Sequence, residues 1–214
     1  AVDRYREVLS YDEFNAGARA SLARLLLQQE RWDELADVLR RELADLFGDD
    51  LVAKRKELAA VLLDKTGDAE GALELFKETL WADPNDAVAL VAMGRIAEDH
   101  PFLRPEVVRL LKPIHQAAER WDDVIALTMV GADDDSPDVT ARVCIEAAKL
   151  YEQRLDDPDA ALAHYRQSLD AVPDQPSVVG QIERLATSLE RWDELEAVYA
   201  HLLDHADGPD RRLQ

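Results

Sequence analysis

The sequence predicts an all-α chain, an α-solenoid of about twelve helices stacked as antiparallel pairs. Three observations carry that expectation. Apolar residues fall three and four apart through nearly every segment, as in "ASLARLLLQQ", "KELAAVLLD" and "ALELFKETLWA", which places them on one stripe of a helix. No run rich in Val, Ile and Thr alternates at period two, so no sheet is predicted. The chain also repeats itself. "ERWDELADVL" at Glu30 returns as "ERWDDVIAL" at Glu119, and "TGDAEGALELFKETLWADPND" at Thr66 returns as "LDDPDAALAHYRQSLDAVPDQ" at Leu155, both 89 residues later. Two unrelated phrases sharing one offset mark a structural repeat.

From the N-terminus, "AVDRYREVLSYDEF" reads as the end of an amphipathic helix, and with no initiating Met the chain is expected to be cut from a longer protein. Helices are then predicted near 16–29, 32–46, 51–65, 68–82 and 86–99, five to one unit of 89 residues. Gly67-Asp68 and Asp83-Pro84 punctuate them, as does Asp156-Asp157-Pro158-Asp159 in the second copy. The "ERWD" phrase occurs a third time from Glu190. Its Asp33, Asp122 and Asp193 would sit in first helical turns, where exposed amides and the positive end of the helix dipole favour a carboxylate. Trp32, Trp121 and Trp192 would pack back on the preceding helix and set the turn, and Leu35, Val124 and Leu195 would continue the apolar face. Their shared register favours this structural role over stacking on a ligand. Trp81 follows the apolar stripe; half exposure is one reading, and packing in the core or on a ridge is the favoured one. The segment "EDHPFLRPEVVRLLKPIHQAAERWDD" carries an extra helix with Pro113 inside it. In a strictly alternating array an odd number of helices would reverse each successive unit, so a register irregularity is expected near 100–135, with "GADDDSPD" (131–138) as a loop beside it.

Composition narrows the function. The 214 residues are 47% hydrophobic and 33% charged, a folded and not a disordered profile. The length admits one or two domains, and the repeat favours one array over 1–214. No stretch approaches the ~20 apolar residues of a membrane span, so a soluble protein is expected, with the cytoplasm favoured; in a chain cut from a longer one the missing leader says little about compartment. The net charge of −20 repels phosphate backbones and argues against nucleic acid. Cys144 is the single cysteine, so no internal disulfide forms, and "VCIEAAKLY" reads as the surroundings of a buried, inert thiol. A glycine-rich phosphate loop, Gly-x-Ser-x-Gly, His-Glu-x-x-His and paired cysteines are all missing from the sequence. No catalytic residue, cofactor or metal is therefore assigned. His201 and His205 lie one turn apart, but no third ligand stands at a defined spacing.

Ala72, Phe76 and Pro84 form a pattern that Ala161, Tyr165 and Pro173 repeat 89 residues on. Small residues let two helices cross closely, the aromatic fills the space, and proline ends the helix. These positions resemble the second half of a tetratricopeptide repeat, while Leu90, Met93, Gly94 and Ala97, and again Ala147, Ala148 and Tyr151, resemble the first. The resemblance covers most of 16–206 and is similar to the helical arrays of large bacterial repeat proteins. Leu35 and Leu39 depart from it, standing where a small and an aromatic residue belong. The resemblance implies a right-handed superhelix whose first helices line a concave face, and a binding role with a protein or peptide as partner.

Basic residues recur on those first helices: Arg24 in "LARLL", Arg95 in "MGRIA", Arg184 in "IERLA" and, more loosely, Lys149 in "AAKLY". Arg24 shares a face with Ala20, Ser21 and Gln28, Arg95 with Val91, Ala92 and Glu98, and Arg184 with Gly180, Gln181 and Ser188. Small residues beside a long cation suit a lined groove, in which Gln28, Gln181 and Ser188 would bond the backbone of a partner segment. Equally, each arginine would pair with a carboxylate of a neighbouring repeat, with Glu57, Glu98 and Glu146 as candidates. Two functions remain open: an interaction scaffold, or a structural spacer that self-associates through its end helices.

Overall fold

A computed structural model describes residues 1–130 and 136–206, and the regular elements among them are all helical. They are α1 (Val2–Tyr11), α2 (Ala16–Gln28), α3 (Trp32–Leu43), α4 (Gly48–Val61) continued by a π turn (Leu62–Thr66), α5 (Ala69–Ala82), α6 (Ala87–Asp99), α7 (Arg104–Ala117), α8 (Trp121–Met129), α9 (Pro137–Arg154), α10 (Pro158–Ala171), α11 (Pro176–Ser188) and α12 (Trp192–Ala206). The twelve helices agree with the number expected. The loop expected at 131–138 lies outside the described residues as far as 135; Ser136 precedes α9, and Pro137 opens it, where a missing N–H costs nothing.

The chain divides into two compact units, Ala1–Leu110 and Leu111–Gln214. In the first, successive helices from α1 through to α6 pack on one another; in the second, successive helices from α8 through to α12 do the same. Connections of a few residues between packed neighbours make these antiparallel hairpins. The division falls inside α7, beside Pro113. Proline gives no N–H to the carbonyl four residues back, so the ladder of α7 is weakest there. The irregularity expected near 100–135 coincides with this point.

The 89-residue repeat is also a repeat of burial. Ala59 and Ala148, Ala72 and Ala161, Phe76 and Tyr165, Leu80 and Leu169, and Met93 and Ile182 are all buried. Thr79 and Ser168 hold equivalent positions with no exposure at all, and each is among the few polar side chains of the core. Thr79 Oγ1 donates 2.9 Å to the Leu75 carbonyl, which satisfies the hydroxyl within its own helix. Asp68 Oδ1 accepts from the Gly71 amide and Asp157 Oδ1 from the Ala160 amide, both at 2.9 Å, capping α5 and α10 identically.

The "ERWD" phrase is a helix-to-helix turn. Glu30, Glu119 and Glu190 have φ of 54°, 54° and 57°, the left-handed conformation that closes a helix. The next amides, those of Arg31, Arg120 and Arg191, donate back to the carbonyls of Leu26, His115 and Ala186 at 3.0, 2.9 and 2.8 Å. This pairing absorbs carbonyls that the helix end would leave bare. Asp33, Asp122 and Asp193 then occupy first turns, as expected. In the alternate turns Gly67 (φ 75°) and Asp156 (φ 53°) play the left-handed role, again 89 residues apart.

The tryptophans of this phrase have a partner that the sequence reading did not foresee. Lys65 Nζ lies 5.2 Å from the Trp32 ring centre, and Arg154 Cζ lies 4.6 Å from that of Trp121. Both cations come from the far end of the following helical segment and are themselves 89 residues apart. Trp81 corrects an expectation. It is 84% exposed, because the buried stripe of α5 ends at Leu80 and the next position points about 100° away from it.

Candidate functional site

In the first unit the leading helix of each hairpin pair is α2, α4 or α6, and apolar clefts lie between them. Between α2 and α4 is a cleft of about 860 Å³, floored by Ala20, Ala23, Leu27, Ala60 and Val61. Alanines keep the helices' facing surfaces low, so two helices that cross there leave a trough. Charged residues rim it: Arg24 on one side, Glu42, Lys54 and Glu57 on the other. Lys54 is held by Glu42 at 3.0 Å and Glu57 at 2.7 Å. Burial disfavours its charge, and the two carboxylates outweigh that, so its pKa is raised. Between α4 and α6 a second cleft of about 390 Å³ shares Ala60 and is lined by Leu63, Ala87, Val88, Val91 and Ala92. Leu27, Val88 and Val91 are each more than half exposed. The two clefts therefore present apolar surface along the α2, α4 and α6 faces.

The sequence-predicted cations divide into two kinds. Arg95 Nη2 donates 2.9 Å to Asp64, and Arg184 Nη2 donates 2.7 Å to Glu152 and 2.8 Å to Gln181. Both carboxylates lie on the preceding leading helix, about thirty residues back. Glu57, Glu98 and Glu146 are not the partners: Glu57 pairs with Lys54 and Glu146 with Lys112 at 2.6 Å. The sequence shows that carboxylates are abundant; which one meets an arginine is set by where neighbouring helices cross. Arg24 and Lys149 are exposed and form no ion pair among the described residues. Gln28 is exposed and is not part of the cleft lining. Gln181 is occupied by Arg184, and Ser188 Oγ donates 2.8 Å to the Leu185 carbonyl of its own helix. The arrangement thus brings Arg24 to the first apolar cleft and Arg95, while paired with Asp64, to the second, and it ties Arg184 into a helix-to-helix contact.

Other chemistry-bearing groups are built into the packing. Cys144 is fully buried, and burial pushes its thiol above the ordinary range, away from the reactive thiolate. His115 is buried, with Nδ1 3.2 Å from an Asp123 oxygen; burial is the stronger influence and holds it below its usual pKa. His164 is likewise held low by burial and stacks on Tyr151, ring centres 5.2 Å apart. The expected His201 and His205 pair reaches outside the described residues at His205. Among the described residues no group of three or more His, Cys, Asp or Glu is placed to hold a metal ion, and no helix is long and apolar enough to cross a membrane.

Comparison with known proteins agrees with the geometry of the α2–α3 hairpin. Residues 18–51 match the tetratricopeptide repeat model. No curated protein matches the chain in sequence. Among solved structures, the TPR2AB-domain:pHSP90 complex of yeast Sti1 is similar at 12% identity and a TM-score of 0.41, over 99% of this chain and 84% of that one. MamA from Desulfovibrio magneticus RS-1 is similar at 12% identity and a TM-score of 0.32, over 91% of this chain and 97% of that one. With its hairpins, its left-handed turns and the family model on its second and third helices, this chain is a tetratricopeptide-repeat-like helical repeat protein.

Proposed function

We propose that this chain is a protein-interaction scaffold whose first unit takes a partner segment in the trough along α2, α4 and α6. Tetratricopeptide repeats generally mediate protein–protein interaction. What carries the reading for this chain is Arg24: an exposed guanidinium without an ion pair, at the rim of an apolar cleft of about 860 Å³. A segment with apolar side chains for the floor and a carboxylate for Arg24 fits that surface, since a planar guanidinium takes a carboxylate through two parallel hydrogen bonds. Lys149 is the counterpart in the second unit, exposed on α9. Arg95, Gln181, Arg184 and Ser188 serve first in helix packing, and a guanidinium held by one carboxylate still has donors to offer. The proposal is of a binding protein and not an enzyme, and it treats 1–214 as one functional domain.

The test is selection of peptides on the immobilised chain, followed by titration of the selected acidic peptide against Arg24→Glu. Arg24 is exposed, so the variant folds, which circular dichroism verifies. Affinity is expected to fall at least tenfold, about 1.4 kcal/mol; an unchanged affinity removes the trough from the account. The spacer reading rests on a separate observation, the pairing of Arg95 with Asp64 and of Arg184 with Glu152 inside the chain. Size-exclusion chromatography across a hundredfold range of concentration decides it: growth in apparent size favours self-assembly through the end helices, and a constant size favours the scaffold.

A further inference from the structure

We infer that one edge of the first unit, adjoining the trough, is a second docking surface, and that its occupant is an arginine-rich segment of a partner protein. Consecutive hairpins alternate direction, so the α1–α2, α3–α4 and α5–α6 turns line up along one edge of this unit. Ion pairs tie that edge together: Arg19 of α2 to Asp45 after α3 at 2.5 Å, and Lys56 of α4 to Asp86 before α6 at 2.6 Å. Each turn carries an exposed aromatic. Tyr11 and Phe14 are 86% and 69% exposed in the first, Phe47 is 82% exposed in the second, and Trp81 is 84% exposed in the third.

These rings are not needed to build the turns. The equivalent positions 89 residues later hold His100, Leu103, Ser136 and Asp170, and α8 packs on α9 and α10 on α11 with Ser136 and Asp170 in place of the rings. Each turn also carries carboxylates. Glu13, Asp49, Asp50 and Asp83 make no ion pair among the described residues; of the neighbouring cations Arg19 and Lys56 are already held, and Arg41 in the last turn of α3 is exposed, so carboxylates outnumber free cations here. Aromatic faces beside unpaired carboxylates are the complement of guanidinium groups, which stack on a ring and donate to an acid at once. The Phe14 ring already has one such neighbour: Arg19 Cζ lies 5.6 Å from its centre. The net charge of −20 excludes a polyanion as occupant and draws a basic segment in.

Layers of packed helices are about 10 Å apart, and an extended chain rises ~3.3 Å per residue. Side chains alternate faces in a flat strand, but in a polyproline II segment, with three residues per turn and ~3.1 Å rise, every third residue faces the same side, so an Arg-x-x-Arg-x-x-Arg spacing in that conformation matches the edge. Phe14, Arg19 and Asp45 also line the α2–α4 cleft, so the test is placed on Phe47 and Trp81, which do not. A fluorescein-labelled peptide of that spacing, with Gly and Ser between the arginines, is titrated by anisotropy in 150 mM NaCl. The doubly substituted Phe47→Ser, Trp81→Asp chain takes the residues that the next repeat itself uses, and it adds one negative charge. Its affinity is expected to fall at least tenfold in spite of that charge, and Arg24→Glu is expected to bind as the unsubstituted chain does. Affinity that holds or rises in the double variant would show net charge alone at work and overturn the proposal. Loss on Arg24→Glu would place the peptide in the trough and overturn it too, as would concentration-dependent self-association that the double variant abolishes, which would make a second copy the occupant.

Discussion

The smallest decisive feature is a backbone angle. Glu30, Glu119 and Glu190 sit in left-handed conformation, which costs a residue with a side chain roughly 1–2 kcal/mol. The turn recovers part of this by pairing the amides of Arg31, Arg120 and Arg191 with helix-end carbonyls. Gly67 fills the same role without strain, and a Cβ placed there would meet no atom within 4 Å. Two opposite outcomes follow. Glu119 is exposed and in no ion pair, so Glu119→Gly is expected to stabilise the chain by roughly half a kcal/mol after the added freedom of the unfolded chain is subtracted. Gly67→Ala is expected to destabilise it by about 1 kcal/mol, through φ and not through a clash. Urea melts of both variants check the pair, and equal signs would contradict the assignment. At this scale the sequence was partly legible. Gly67 announces itself, whereas glutamate is a poor left-handed former, and only the recurrence of "ERWD" marks those positions as a turn.

At the scale of the element, helix crossing decides tolerance. Ala72 on α5 and Ala161 on α10 have no exposure, and Phe76 and Tyr165 one turn on are nearly as buried. The alanines let the hairpin close, and the rings fill what remains. Ala161→Leu pushes a branched side chain into packed surface and is expected to cost about 1–3 kcal/mol, with Ala163→Leu, on the exposed side of the same helix, within about half a kcal/mol of the unsubstituted chain. Comparable losses at both sites in thermal melts would mean that the α9–α10 crossing is looser than its burial indicates. These alanines and aromatics were readable in the sequence because their spacing follows the 3.6-residue turn. Trp81 was not: it follows Leu80 on the same helix, and only the direction of its own side chain separates the core from the solvent.

For the whole molecule, stability is shared between neighbours. Leu26 of α2 and Leu39 of α3 are fully buried, and a single hairpin has only one partner helix to cover each. A peptide of residues 16–46 is therefore expected to lack a cooperative melt and to show little helicity by circular dichroism, since one repeat cannot bury its apolar face alone. Stable folding of that peptide would contradict nearest-neighbour stacking as the source of stability. The sequence by itself determined the class of fold, the number of helices, the 89-residue repeat and the residues that pack inside, because burial along a helix is a local periodicity written in consecutive residues. Tertiary structure alone decided that Arg95 meets Asp64, that Arg184 meets Glu152, that Arg24 has no ion pair among the described residues, and that Tyr11, Phe14, Phe47 and Trp81 stay exposed. Those outcomes depend on where one helix crosses another, and exposed side chains carry no periodic constraint from which a crossing can be read.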